Sequence, residues 1–117
     1  PNHAHALNAL GYTWADHNMR LPEALVMLQQ ALKLSPDDAF VLDSMGWLQY
    51  RLGHLDAAVD YLQRAYQRRA DPEIAAHLGE VMWAQGRYEQ AQAVWQGALK
   101  SAPDNASLMA VMAKYNK

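Results

Sequence analysis

Met45-Gly46-Trp47-Leu48-Gln49-Tyr50-Arg51-Leu52-Gly53-His54-Leu55-Asp56-Ala57-Ala58 reads as a helix, a glycine stop and the start of a second helix. The same wording recurs on both sides. Upstream stand Leu10-Gly11-Tyr12 and Pro22-Glu23-Ala24-Leu25; downstream stands Leu78-Gly79-Glu80-Val81-Met82-Trp83-Ala84-Gln85-Gly86-Arg87-Tyr88-Glu89-Gln90-Ala91. Small residues set the register. Gly11, Gly46 and Gly79 lie 35 and 33 residues apart, and Ala24, Ala58 and Ala91 lie 34 and 33 apart. Ala31, Ala65 and Ala98 follow those alanines by seven residues, with Leu28, Leu62 and Trp95 between them. The period is therefore about 34 residues, with one extra residue near Asn18 and one fewer near Arg69. Helices approach to about 8–10 Å, and the closest crossings need glycine or alanine. A unit that cannot bury its own apolar face is repeated until it can.

Working outward, Leu7, Leu10 and Trp14 fall at i, i+3 and i+7, one face of a first helix. Pro22 and Glu23 suit the first turn of a second helix, where a missing N–H is harmless and the dipole favours an acid. Leu25, Leu28 and Leu32 form its apolar face. After Pro36, Asp37 or Asp38 caps a third helix, which Gly53 ends. Asp56, Asp60, Arg64 and Arg68 make an i, i+4 ladder along the fourth, which reads as a solvated outer face. Asp71-Pro72-Glu73 supplies an N-cap, a first-turn proline and a first-turn acid for the fifth helix. Gly86 ends it, and a sixth runs from about Tyr88 to Lys100. Pro103-Asp104-Asn105 caps a seventh, roughly Ala106 to Tyr115, whose polar tail is Lys114, Asn116 and Lys117. Where the first copy lacks an inter-helix glycine, Asn18 is the residue able to take the left-handed conformation.

Composition narrows the function. At 117 residues, 51% hydrophobic and 19% charged, the chain is one ordinary globular domain. A net charge of −2 gives no footprint for nucleic acid and no polybasic membrane signal. Cysteine is absent, so disulfides and thiolate chemistry are excluded. No apolar run approaches the length of a membrane span, and no export signal is visible. His3 and His5 are two residues apart and point to different sides of a helix, so they make no metal pair. Neither a His-Glu-x-x-His element nor a phosphate-cradling glycine loop occurs. His77 with Glu80 has the spacing of an acid–base pair but no nucleophile or third orienting group, so no enzyme activity and no cofactor are expected.

These repeats resemble the tetratricopeptide repeat, a helix-turn-helix unit. The resemblance implies an all-α fold: an α-solenoid of three repeats (about 4–37, 38–71 and 72–105) plus a C-terminal capping helix, about 106–116, seven helices in a single domain. It departs from the pattern at Asp16-His17-Asn18-Met19, which lacks the glycine, and at Ala70-Asp71-Pro72, which displaces the closing proline. The wording of Leu42-Asp43-Ser44-Met45-Gly46-Trp47, Tyr50-Arg51-Leu52-Gly53 and Asp71 through Glu80 is also similar to the last repeats of long bacterial tetratricopeptide proteins. Some of those are outer-membrane lipoproteins serving as periplasmic adaptors. That implies a bacterial scaffold, cytoplasmic or periplasmic, whose upstream part lies outside a sequence opening on Pro1.

In this family the first helix of each pair lines a concave groove that holds a protein or peptide partner. Carried over position by position, the groove residues are Asn8, Tyr12, Ala15 and Asp16, then Asp43, Trp47, Tyr50 and Arg51, then Ala76, His77, Glu80 and Trp83. Aromatics beside an arginine and a few acids are the mix of peptide-binding hot spots. Asp43, Trp47 and Arg51 form one stripe. Each groove aromatic has a second reading, packing into the core between repeats, and Trp14 and Trp95 fall on core positions outright. Lysine–asparagine clamps for a terminal carboxylate do not fit, because the equivalent places hold Asn8, Asp43 and Ala76, then Tyr12, Trp47 and Glu80. An extended peptide or partner helix with apolar anchors fits better. The rival reading is self-assembly. The face that meets the preceding repeat carries Val41 and Leu48, Ile74 and Val81, Leu108 and Tyr115, but in the first copy only Ala6 and Thr13. That end either stands open, available for oligomerisation, or belongs inside a longer array. A regulatory segment of a larger protein is the third possibility.

Overall fold

A computed structural model describes residues 2–115; Asn116 and Lys117 of the expected tail lie outside the described residues. The described residues form seven α-helices and no strand: α1 (Asn2–Asp16), α2 (Leu21–Leu34), α3 (Ala39–Arg51), α4 (Leu55–Arg68), α5 (Pro72–Ala84), α6 (Tyr88–Ser101) and α7 (Ala106–Tyr115). Three antiparallel pairs stack in order. The odd-numbered helices also pack on one another, α1 on α3, α3 on α5 and α5 on α7.

The small residues sit at the crossings within each pair. Ala24, Ala31, Ala58, Ala65 and Ala91 are fully buried, as are Leu28 and Leu62, and Trp95 is 1% exposed. A Cβ on Gly11 would meet Leu28, on Gly46 Leu62, and on Gly79 the Trp95 indole. Each glycine of α1, α3 and α5 thus lets the large residue of its partner helix lie against bare backbone.

The turns inside the pairs share one hydrogen-bond pattern. Gly53 and Gly86 both have φ of 85°. In each turn a six-residue backbone bond closes over them, His54 N–H to Gln49 C=O and Arg87 N–H to Met82 C=O. The first turn reproduces it with Asn18 at φ 53° and Met19 N–H bonded to Trp14 C=O. Arg20, at φ 51°, is a second left-handed residue that the sequence did not signal; it accommodates the extra residue of this linker. Of the two candidate caps before α3, Asp38 is the one that bonds, accepting from the Phe40 and Val41 amides at 2.8 and 3.2 Å. Asp71 caps α5 and Asn105 accepts from Leu108 N–H.

Two expectations need correction. The ladder along α4 has one rung, Asp60–Arg64 at 3.7 Å. Arg68 turns instead to Asp37 of the α2–α3 linker at 2.9 Å, and Asp56 accepts from Gln85. Long side chains on an exposed face take whichever partner lies nearest in space, and stacking brings neighbouring turns within reach. Leu10 belongs by its spacing to the packed face of α1 but is 40% exposed. Its equivalents Met45 and Leu78 are covered by the preceding pair, which α1 lacks here. The same holds for exposed Ala6 and Thr13 against buried Val41, Leu48, Ile74, Val81 and Leu108.

Candidate functional site

The concave surface is built by one face of α1, α3, α5 and α7. At its centre stands a network that spans all three pairs. His77 of α5 lies 2.9 Å from Asp43 of α3 through Nδ1 and 3.3 Å from the Tyr12 hydroxyl of α1 through Nε2. An ionised carboxylate only accepts, so Nδ1 carries the proton and donates to Asp43. In the neutral ring Nε2 accepts from the Tyr12 O–H; in the charged ring it donates to the same oxygen. The bond therefore survives either protonation state. Burial pushes the imidazole down, and the Asp43 hydrogen bond and surrounding carboxylates more than offset it, leaving His77 above the usual histidine value. Burial, then Asp16 and Asp43, raises the Tyr12 phenol well above its usual value.

Trp47 lies flat against His77, with ring centroids 4.2 Å apart, and its Nε1–H donates to Asp16 at 3.2 Å. It is 4% exposed, and Asp43 is 7% exposed. Arg51 reaches back from α3 to the end of α1, donating to the Ala15 and Asp16 carbonyls at 3.0 and 2.8 Å. Its guanidinium lies over the Trp47 and Tyr50 rings. This places a cation on the last carbonyls of α1, as the dipole favours; the Ala15 carbonyl also accepts from Asn18 N–H at 3.0 Å. A second aromatic cluster closes the far end. Trp83 packs on Tyr88, Tyr115 and Trp95, while Glu80 accepts from Lys114 Nζ and the Tyr115 hydroxyl, both at 2.9 Å. The Glu80 bond raises Lys114 above the ordinary lysine value; burial, then Glu80, raises Tyr115.

Two cavities open on this face, on either side of the Tyr12–His77 contact. The larger, about 320 Å³, takes in Asp16, Trp47, Glu80, Ala110 and Lys114. The other, about 300 Å³, takes in Asn8, Ala9, Phe40, Asp43 and Ser44. Tyr12, Glu73 and His77 line both. Of the twelve residues expected in the groove, Asn8, Tyr12, Asp16, Asp43, Trp47, Ala76, His77 and Glu80 border these cavities, and Ala15 is fully buried. Tyr50, Arg51 and Trp83 border neither: Arg51 reaches α1 and Trp83 reaches α7, while Tyr50 is partly buried against the core beside Trp47 of its own helix, so Tyr50 and Trp83 take the second of the two readings open for the aromatics. Trp14 is partly buried against the core, with Arg20 over its ring.

Sequence reasoning passed over Phe40, Glu73, Ala110 and Lys114. The last two were legible: continuing the register from Ala76 and Glu80 by 34 residues lands on them. Glu73 reads in the sequence only as a first-turn acid of α5. Among the described residues no group of histidine and acid side chains is arranged to hold a metal, and no helix is long and apolar enough to cross a membrane.

Comparison with known proteins places these features. A family model described as tetratricopeptide repeat matches residues 49–115. The TPR repeat-containing protein PA4667 of Pseudomonas aeruginosa is 56% identical over 80 residues, which is 68% of this chain and 14% of that protein. The TPR repeat-containing protein MJ1428 of Methanocaldococcus jannaschii is 29% identical over 86 residues, 74% of this chain and 15% of that protein. This chain thus spans about a seventh of the length of these relatives. Among solved structures, TTC0263, a thermophilic TPR protein of Thermus thermophilus, superposes with a TM-score of 0.75 at 31% identity, over 80% of this chain and 48% of that one. MamA superposes with a TM-score of 0.76 at 21% identity, over 99% of this chain and 70% of that one, a likeness of fold.

Proposed function

Because the chain belongs to the tetratricopeptide-repeat family, whose repeats generally mediate protein–protein interaction, we propose that its concave face is a scaffold surface that binds a segment of a partner protein. The observation that carries this reading is the pair of adjoining cavities, about 320 and 300 Å³, on the face shared by α1, α3, α5 and α7. Each has room for partner side chains, with mixed polar and apolar walls of the kind that give orientation as well as contact. Tyr12, His77, Glu80, Asn8 and Glu73 are the contact residues. Trp47 and Asp43, being buried, act through the shape they give the surface. The role is that of an adaptor without catalysis or cofactor, in agreement with a family of generally non-enzymatic scaffolds.

A photo-crosslinking residue at exposed Ala110 in the groove, compared with one at exposed Ala93 on α6, tests this. Neither position is in the core, so both variants fold. Partner adducts form from Ala110 and not from Ala93; equal adducts from both, or none from the groove position, end the groove reading.

A second reading rests on a different surface. Ala6, Leu10 and Thr13 on the outer face of α1 stand exposed where the same positions in α3 and α5 are buried. A second copy seated there makes a homo-oligomer through the N-terminal end. Sedimentation across a concentration series decides it: a mass that falls on dilution, and that Leu10→Glu reduces to the monomer, supports assembly, and a constant monomer mass excludes it.

A further inference from the structure

The charge on the concave face is not the charge of the whole chain. Four carboxylates stand there: Asp16, Asp43, Glu73 and Glu80. Three are answered from within. Arg51 lies 3.9 Å from Asp16, His77 lies 2.9 Å from Asp43, and Lys114 lies 2.9 Å from Glu80. Glu73 is different. Among the described residues it has no cation within ion-pair distance, and its oxygens accept only from the neutral Asn105 amide and Ser107 hydroxyl. It is exposed, and it lines both cavities beside Tyr12 and His77. Three of the six arginines, Arg64, Arg68 and Arg69, lie on α4 and the linker after it.

Resting on the reading of the concave face as the binding surface, we infer that its occupant is an extended partner segment bearing an arginine or lysine, whose charge sits on Glu73 where the two cavities meet. Side chains flanking that cation enter the cavities on either side of the Tyr12–His77 contact. A carboxylate held by two neutral donors keeps lone pairs for a further N–H, and a guanidinium or ammonium satisfies them while cancelling the charge. The acids of this face orient such a segment before contact, an effect that added salt weakens. An acidic segment meets like charge at the junction and is turned away.

Binding by fluorescence anisotropy separates the inference from the reading beneath it. The probes are extended peptides matched in apolar content, carrying arginine and lysine, glutamate, or glutamine at the same places. The basic set binds best to the wild-type chain, and Glu73→Gln weakens it by about fivefold, the upper range for one partly exposed charge pair. Glu73→Lys shifts the preference toward the glutamate set. Thermal unfolding of both variants confirms that they remain folded. Equal binding of basic and glutamine sets, or a preference untouched at Glu73→Gln, overturns the cationic partner and leaves the groove in place. Absence of binding by every set, with no groove crosslinks, overturns both.

Discussion

Replacing Gly79 by alanine tests the packing logic most directly, because two opposing effects can be weighed. Gly79 lies inside α5, where alanine is preferred to glycine by about 1 kcal/mol. Propensity alone therefore calls for stabilisation. The structure calls for the reverse: a Cβ there would stand 2.0 Å from Trp95 Nε1 and 2.4 Å from Cε2. The indole is no flexible side-chain tip that can swing away, since Trp95 is 1% exposed and its Nε1–H donates to the Ala76 carbonyl at 3.3 Å. Displacing it costs about 1–3 kcal/mol in overpacking, and losing its hydrogen bond about 1 kcal/mol more. The net expectation is a loss of about 2 kcal/mol, or roughly 8 °C in Tm for a chain of this size. Gly97 is the internal control. It lies within α6, exposed, with nothing within 4 Å of a built Cβ, so Gly97→Ala follows propensity alone and gains up to about 1 kcal/mol. Urea unfolding followed by far-ultraviolet circular dichroism measures both. A Gly79→Ala variant as stable as the parent would mean that α5 and α6 do not cross where the repeat register puts them.

Other consequences are smaller. Asp38→Ala removes the acceptor for two amides at the start of α3 and costs about 1 kcal/mol by the same unfolding measurement; no change would mean that Asp37 substitutes for it. Asn18→Val puts a β-branched residue at φ 53° and costs about 1–2 kcal/mol, whereas a neutral result would show that the first turn relaxes to another conformation. His77 binds its proton more tightly folded than unfolded, so its contribution is complete below the unfolded value near about 6.5 and is lost as pH rises through the higher folded value. Stability of the parent relative to His77→Gln accordingly falls as pH rises above the unfolded histidine value of about 6.5, and parallel curves would remove the Asp43 pairing from the explanation.

The register of this fold was legible because it is written in residue size. Glycine opposite leucine or tryptophan, with alanine a turn away, has one packing solution, and three copies repeat it. The fate of Trp47 was not legible in the same way. Its position faces the boundary between core and groove, and what covers it comes from afar: the His77 ring from α5, Asp16 from α1, and the Arg51 guanidinium over its face. Those contacts depend on how far each pair rotates against the next, a quantity that pair-to-pair packing sets and no single repeat encodes. Leu10 illustrates the complement. Its helical face was read correctly as apolar, but burial requires a neighbour that α1 does not have here.

The burial of Trp47 changes what kind of surface the groove is. Had the aromatic stripe pointed outward, affinity would come from anchors and their side chains would have to be ordered on binding. Here the ordering is already done. Tyr12, Asp43 and His77 are bonded across three pairs, and Arg51 and Trp47 tie α3 to the end of α1. A surface fixed before contact loses little rotamer freedom when a partner arrives, so a given set of contacts yields more net affinity. If the concave face binds a partner as proposed, the same fixity narrows the range of partners, because Tyr12 and His77, which line both cavities, are held in the Tyr12–His77–Asp43 chain. On the proposed reading, discrimination then falls to Glu73 at the junction, which among the described residues has no cation within ion-pair distance, whereas Lys114 at the rim is already paired with Glu80.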